Sequence, residues 1–228
     1  MHDAPVSVLE KFQLPPFLPG FTPRYNIAPS QDQWTILRDS SAKPEARRLK
    51  WGFVPSWADD PMVGQRMVNA RSDSLIDKPS YKTSFRTRRC LILADGYYEW
   101  SGTGKTRVPM FFHLAGHRDF ALAGLWDRWE RDGNSLETCI IITTDASPLA
   151  DAYHHRMPVV LKPDAAFEWM HSSTSEGRLM DLMKPYDEDD LECYKVSGLV
   201  NSPLNDSAEC ILPALPVPRP IELSLWDQ

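Results

Sequence analysis

Apolar positions in this chain fall into short runs, several of them alternating with polar residues. The runs QWTILR (33–38), RRLKWGFVP (47–55), RCLILADGYYEW (89–100) and VPMFFHL (108–114) each predict a β-strand. So do FALAGLW (120–126), ETCIIITTD (137–145), MPVVL (157–161) and ECYKVS (192–197). Helical spacing is confined to PVSVLEKF (5–12) and to residues 148–154, 164–171 and 177–184, the last with Leu179, Leu182 and Met183 on one face. Strands follow one another through tight connections and the helices are peripheral. The expected class is therefore α+β, not a βαβ series. Neither a linker nor an internal repeat interrupts the chain, so residues 1–228 are expected to form one domain. Residues 213–228, with their PALPVPRP stretch, read as an extended wrap or mobile tail.

Composition narrows this picture. With 42% apolar and 11% aromatic residues the chain can bury a real core, and its 20 prolines favour short strands and many loops over a helical bundle. No apolar stretch reaches the length of a membrane span, and the first residues lack a basic region followed by an apolar one, so a cytoplasmic protein with no membrane partner is expected. The four cysteines, Cys90, Cys139, Cys193 and Cys210, have no metal-ligand spacing and read as reduced core residues; neither a metal nor a cofactor is expected. Net charge is −6, but residues 38–89 hold 12 Lys/Arg against 6 Asp/Glu. That asymmetry suits a phosphate-tracking face on an otherwise acidic protein; the alternative is charge dispersed over several solvated faces.

Three segments set titratable groups against apolar runs: VNARSD (68–73), DGYYEW (95–100) and YHHRMPVVL (153–161). Glu99 lies among Tyr97, Tyr98 and Trp100, where burial would disfavour its charged form and bring its pKa toward the range useful for proton transfer. Any one segment alone reads as a structural ion pair. Together they supply an amide, an acid and an imidazole, which points to a site. A glycine-rich phosphate loop, HExxH and GxSxG are all missing from the sequence, so nucleotide, zincin and α/β-hydrolase readings have no anchor.

The phrases PRYNIAPSQ (23–31), WGFVPSWADD (51–60), VNARSDS (68–74), FRTRRCLILADGYYEW (85–100), ALAGLWDRW (121–129), IITTDASPLADAYHHRMPVVL (141–161) and VSGLVNSPLND (196–206) come in this order. Together they resemble the SOS-response-associated peptidase family, proteins that cross-link to abasic sites in single-stranded DNA. The resemblance spans about residues 5–206. It implies a central mixed or antiparallel β-structure, barrel-like or a bifurcated sheet, surrounded by helices. It also implies a DNA-damage function acting on abasic single-stranded DNA as a monomer, in the cytoplasm at the nucleoid.

By motif match, the resemblance implies that Asn69 orients a nucleophile, that Glu99 shuttles protons during Schiff-base formation and reversal, and that His154 assists sugar ring opening or β-elimination. The histidine two residues before the arginine of RMP is His154; His155 fills a polar position. Arg24 and Arg71 suit phosphate contacts, with a bracing ion pair as the other reading for each. Trp57 is the stacking candidate for unpaired bases, whereas Trp51 reads as core. In the family the nucleophile is an N-terminal cysteine in an MCGRF-like start, whose amine and thiol form a thiazolidine with the sugar aldehyde. This chain starts Met-His-Asp-Ala-Pro. A start assigned too far downstream, a truncation and a divergent member all fit that difference. Removal of an initiator methionine or other peptide cleavage, and non-covalent single-stranded DNA binding, are the competing functions.

Overall fold

The spine of the molecule is a hairpin whose two long arms run through residues 120–131 and 134–145, joined at Asp132 and Gly133. Both turn residues have positive φ, 50° and 76°, the backbone a two-residue hairpin needs to match strand twist, and Asp-Gly is the pair that adopts it readily. The computed structural model describes residues 1–38, 43–102, 104 and 107–214. Along it come α1 (Val6–Lys11), β1 (Asp32–Arg38), β2 (Pro44–Trp51), β3 (Asn69–Arg71), α2 (Pro79–Thr87), β4 (Arg89–Ala94), β5 (Tyr97–Ser101) and β6 (Val108–Leu114). They are followed by β7 (Phe120–Arg131), β8 (Asn134–Asp145), α3 (Pro148–Asp151), β9 (Arg156–Pro158), β10 (Val160–Leu161), α4 (Pro163–Met170), α5 (Glu176–Leu182) and β11 (Leu191–Lys195).

Five strands close on themselves. β1 pairs antiparallel with β2 and β4, β4 with β7 and β7 with β8, and a short parallel pairing of β8 with β2 (Lys50 opposite Thr138) completes the barrel. Closure leaves these strands without free edges. One buried cluster draws on all five strands, including Leu37, Leu49, Ile92, Leu122 and Ile141, and on Met110 and Phe112 of a second sheet, β11-β6-β5. A second cluster packs the alternate side chains, Leu91, Leu93, Ala121, Ala123 and Ile142, against residues of α1, α2, α4 and α5. Period-two alternation along each strand thus serves two cores at once. The fold is α+β, with a mixed barrel, extra strands and helices around it.

Several predicted elements differ in extent. The run 89–100 is two strands in different sheets, because the chain breaks at Asp95–Gly96. A Cβ on Gly96 would lie 2.2 Å from Cζ of Phe111, so only glycine lets β5 leave the barrel and pack on β6. The run 47–55 is β2, ending at Trp51; 148–154 is helical only over α3; and 157–161 is divided between β9, which pairs with β8, and β10, which pairs with β7. Residues 215–228 of the expected tail lie outside the described residues, while Pro213 is bridged to Val196.

Candidate active site

The far half of β8 is where the three polar segments converge. On one side β3 runs parallel to it, with Asn69 opposite Ile141 and Arg71 opposite Thr143. On the other, β9 runs antiparallel, with Pro158 opposite the same Thr143. A single strand therefore fixes the NAR segment on one flank and the HHRMP segment on the other. Arg156 locks the second flank. Its buried guanidinium donates to Asp145 Oδ1 at 2.6 Å and to the Thr143 carbonyl at 2.5 Å.

Glu99 arrives from the second sheet. On β5 it shares a face with Tyr97, two residues away, whose ring stacks on Phe112 with centroids 5.0 Å apart. Glu99 Oε2 lies 3.6 Å from His154 Nδ1. That nitrogen is also 2.8 Å from the Arg156 carbonyl oxygen. The Arg156 N–H approaches the same nitrogen at 3.3 Å, so Nδ1 faces both a donor and acceptors. Burial raises the Glu99 carboxyl above its ordinary 4.5, outweighing the opposing pull of His154 and Arg107. Burial likewise pushes up the Tyr97 phenol, with the Glu99 charge adding to it, and among the described residues the Tyr97 hydroxyl has no hydrogen-bond partner.

Asn69 and Glu99 line a cavity of about 430 Å³, together with Met1, Arg24, Asp95, Tyr98 and Asn201. His154 reaches it through Glu99. The amino-terminal residues are held at this cavity by Asp95, which is 3% exposed. Its carboxylate accepts from the N–H groups of His2 (2.6 Å) and Asp3 (3.0 Å) and pairs with His2 Nδ1 at 2.8 Å. Burial alone would raise Asp95, but the His2 hydrogen bond and the neighbouring amine carry it well below the usual carboxylate range. The Met1 amine donates to the Arg24 carbonyl at 2.9 Å and lies 3.5 Å from Asp95. The sequence reading passed over Asp95. Its one local signal is a carboxylate opening the DGYYEW phrase directly after the apolar run CLILA.

The remaining candidates are distributed differently. Arg24 lines the cavity, but its guanidinium is held by Asp206 and Gln31, the geometry of a brace. Arg71 is exposed and paired with Asp73 (2.5 Å) beside Asn69. Trp57 is 67% exposed in a separate depression with Asp59, Asp60, Met62 and Arg66, and does not line the cavity. Trp51 does line it, its Nε1 donating to the Val68 carbonyl at 2.7 Å. Much of the positive excess of residues 38–89 is engaged locally: Arg47 with Glu137, Arg48 with Asp32, and Arg88 with Asp127. Cys90 and Cys139 are buried in the core, the Cys139 thiol pushed up by burial to about 12, so neither resembles an activated nucleophile. Among the described residues no group of three or more His, Cys, Asp or Glu could hold a metal ion, and no helix is long and apolar enough to cross a membrane.

A closed mixed barrel with extra strands and peripheral helices is the fold of a known class. The family model for the SOS response associated peptidase (SRAP) matches residues 2–203, and the chain belongs to that family. Among its relatives, the abasic site processing protein YoqW of Bacillus subtilis is 43% identical over 210 residues, covering 90% of this chain and 93% of that protein. The abasic site processing protein HMCES of Gallus gallus is 34% identical over 236 residues, 89% of this chain and 70% of that one. A crystal structure of a protein from Bacteroides thetaiotaomicron superposes with a TM-score of 0.71 at 29% identity, covering 85% of this chain and 82% of that one.

Proposed function

We propose that this protein processes abasic sites in single-stranded DNA, with Asn69, Glu99 and His154 as the catalytic side chains and the ring-opened deoxyribose as the reacting group. The observation that carries the reading is the shared cavity: Asn69, Glu99 and the amino-terminal residue line it together, and His154 sits on Glu99. An α-amine there attacks the C1′ aldehyde. Glu99, held protonated over a wider pH range by burial, gives its proton to the departing hydroxyl, so that water leaves and an imine forms. The same carboxylate takes a proton back on reversal. The Asn69 amide orients the amine, and the His154 imidazole moves the proton that opens the sugar ring or removes the C2′ hydrogen in β-elimination. Where the amine belongs to a cysteine, its thiolate adds to the imine carbon, the nitrogen takes up a proton, and a thiazolidine results. Trp57 and Arg71 are assigned to the flanking strand, by stacking and by phosphate contact. The protein is taken to act as a monomer in the cytoplasm, at the nucleoid, within the DNA-damage response.

The test incubates three proteins with abasic single-stranded DNA: the 228-residue chain, the chain extended by Met-Cys-Gly-Arg-Phe and the residues that join it, and the same extension with serine for cysteine. A band on a denaturing gel that survives heating, from the cysteine form alone, is expected. Failure of every form to react at the abasic nucleotide, with peptide cleavage or simple DNA binding in its place, would overturn the proposal.

A further inference from the structure

Resting on that reading, we infer that the exposed face of α2 is the track for the DNA backbone flanking the abasic nucleotide, with Lys78, Lys82 and Arg86 as its phosphate contacts. The three cations are spaced four residues apart. Lys78 is the N-cap of α2, and on the helix itself Lys82 and Arg86 share one face with a rise of about 6 Å between them. The opposite face is buried through Tyr81, Ser84 and Phe85, which fixes the cationic stripe toward solvent. Among the described residues none of the three is in an ion pair, whereas Arg47, Arg48, Arg88 and Arg131 on the barrel strands and their margins are each matched to a carboxylate. The acidic groups nearby are few: Asp77 beside Lys78, Asp127 already engaged by Arg88, and Asp73.

Asp73 links the stripe to the cavity. It is bound through both oxygens by Arg71, two residues from Asn69, and also feels the charge of Lys78. On this inference a strand leaving the cavity past Asn69 passes Arg71 and continues along Lys78, Lys82 and Arg86. The Arg71–Asp73 pair is exposed, so exchanging the carboxylate for a phosphate costs little. An evenly spaced row of cations with no base-reading groups suits a phosphate backbone of any sequence.

The experiment measures binding of fluorescent single strands that contain a non-opening abasic analogue, at several salt concentrations. One strand is a trimer, one is extended 5′ and one 3′. Wild type is compared with the Lys78→Gln, Lys82→Gln, Arg86→Gln triple variant. On one of the two extended strands the log–log salt slope is expected to become shallower by about 2, at about 0.7 per phosphate contact, with the trimer unchanged. If the triple variant melts early, Lys82→Gln alone reads the same effect as a change of about 0.7. An unchanged slope on both extended strands, or an equal change on duplex DNA, overturns the track. The cavity assignment is judged separately, by whether wild type prefers the abasic strand over an intact one; without that preference the slopes on intact single strands still decide the track.

Discussion

Replacing Glu99 by Gln separates two accounts of this carboxyl that differ in size. If Glu99 only balances His154, the pair is a partly exposed contact at 3.6 Å, with side-chain exposures of 23% and 37%. Such pairs are worth about 1 kcal/mol or less, which is roughly fivefold in rate at about 1.4 kcal/mol per decade. If Glu99 transfers the proton, its loss removes about 10²–10⁴-fold, or roughly 3–5 kcal/mol of barrier. Glutamine preserves shape and most hydrogen bonding, so the cavity and DNA affinity persist. The assay is single-turnover reaction with an abasic single strand, trapping the imine by reduction, across a pH series. Because burial raises Glu99, the acid form persists above the ordinary 4.5, and the wild-type imine-forming rate falls only as pH rises through that elevated value. Glu99→Gln should lose at least about a hundredfold in rate and should lose that limb of the profile. A loss of fivefold or less with the limb intact would show that Glu99 is a brace and that the proton comes from elsewhere.

Three further outcomes follow from the same geometry. Asp95→Asn leaves two N–H groups and His2 competing for an uncharged amide, a cost of about 2–3 kcal/mol and a fall in Tm of roughly 4–12 °C. The depressed Asp95 contributes above 3.8 and loses this as pH falls; the raised His2 contributes fully below 6.5 and loses it as pH rises through its folded value. Thermal melts should therefore show the largest wild-type-to-variant gap between these two values, and a gap that widens at pH 9 would contradict the pairing. Gly96→Ala forces Phe111 aside and should destabilise by about 1–3 kcal/mol while lowering activity more than the Tm shift alone explains; full activity would mean that β5 does not depend on the close approach. Native Cys90 and Cys139 should resist maleimide while Cys193, partly exposed, reacts, as mass spectrometry of labelled peptides would report.

What the residues disclosed in advance follows a physical divide. Strands whose alternation serves two cores, β1, β4, β7 and β8, were legible because both faces are apolar and turns bound them. α2 was not, since Tyr81 and Phe85 are its only large apolar residues and its stripe is cationic. β3 is three residues long and gains its register from β8, 72 positions away, so nothing local marks it as a strand. Glu99 and His154 were identifiable because polar groups stand out within aromatic and apolar phrases, although their 3.6 Å contact is a product of packing between two sheets. Asp95 escaped notice because its partners, His2 and Asp3, stand 93 and 92 positions earlier in the chain. Trp57 was attractive as an exposed aromatic, but exposure says nothing about which depression it borders.

The arrangement around β8 also dictates where the chain can be engineered. Since Thr143 is opposed by Arg71 on one side and Pro158 on the other, a one-residue insertion between Cys139 and Asp145 would rotate both walls of the cavity out of phase together. The Asp132–Gly133 turn, at the other end of the same strand, carries exposed residues and no site contacts. A peptide tag or reporter belongs there, where added length lies beyond the hairpin and leaves the register at Thr143 as it is.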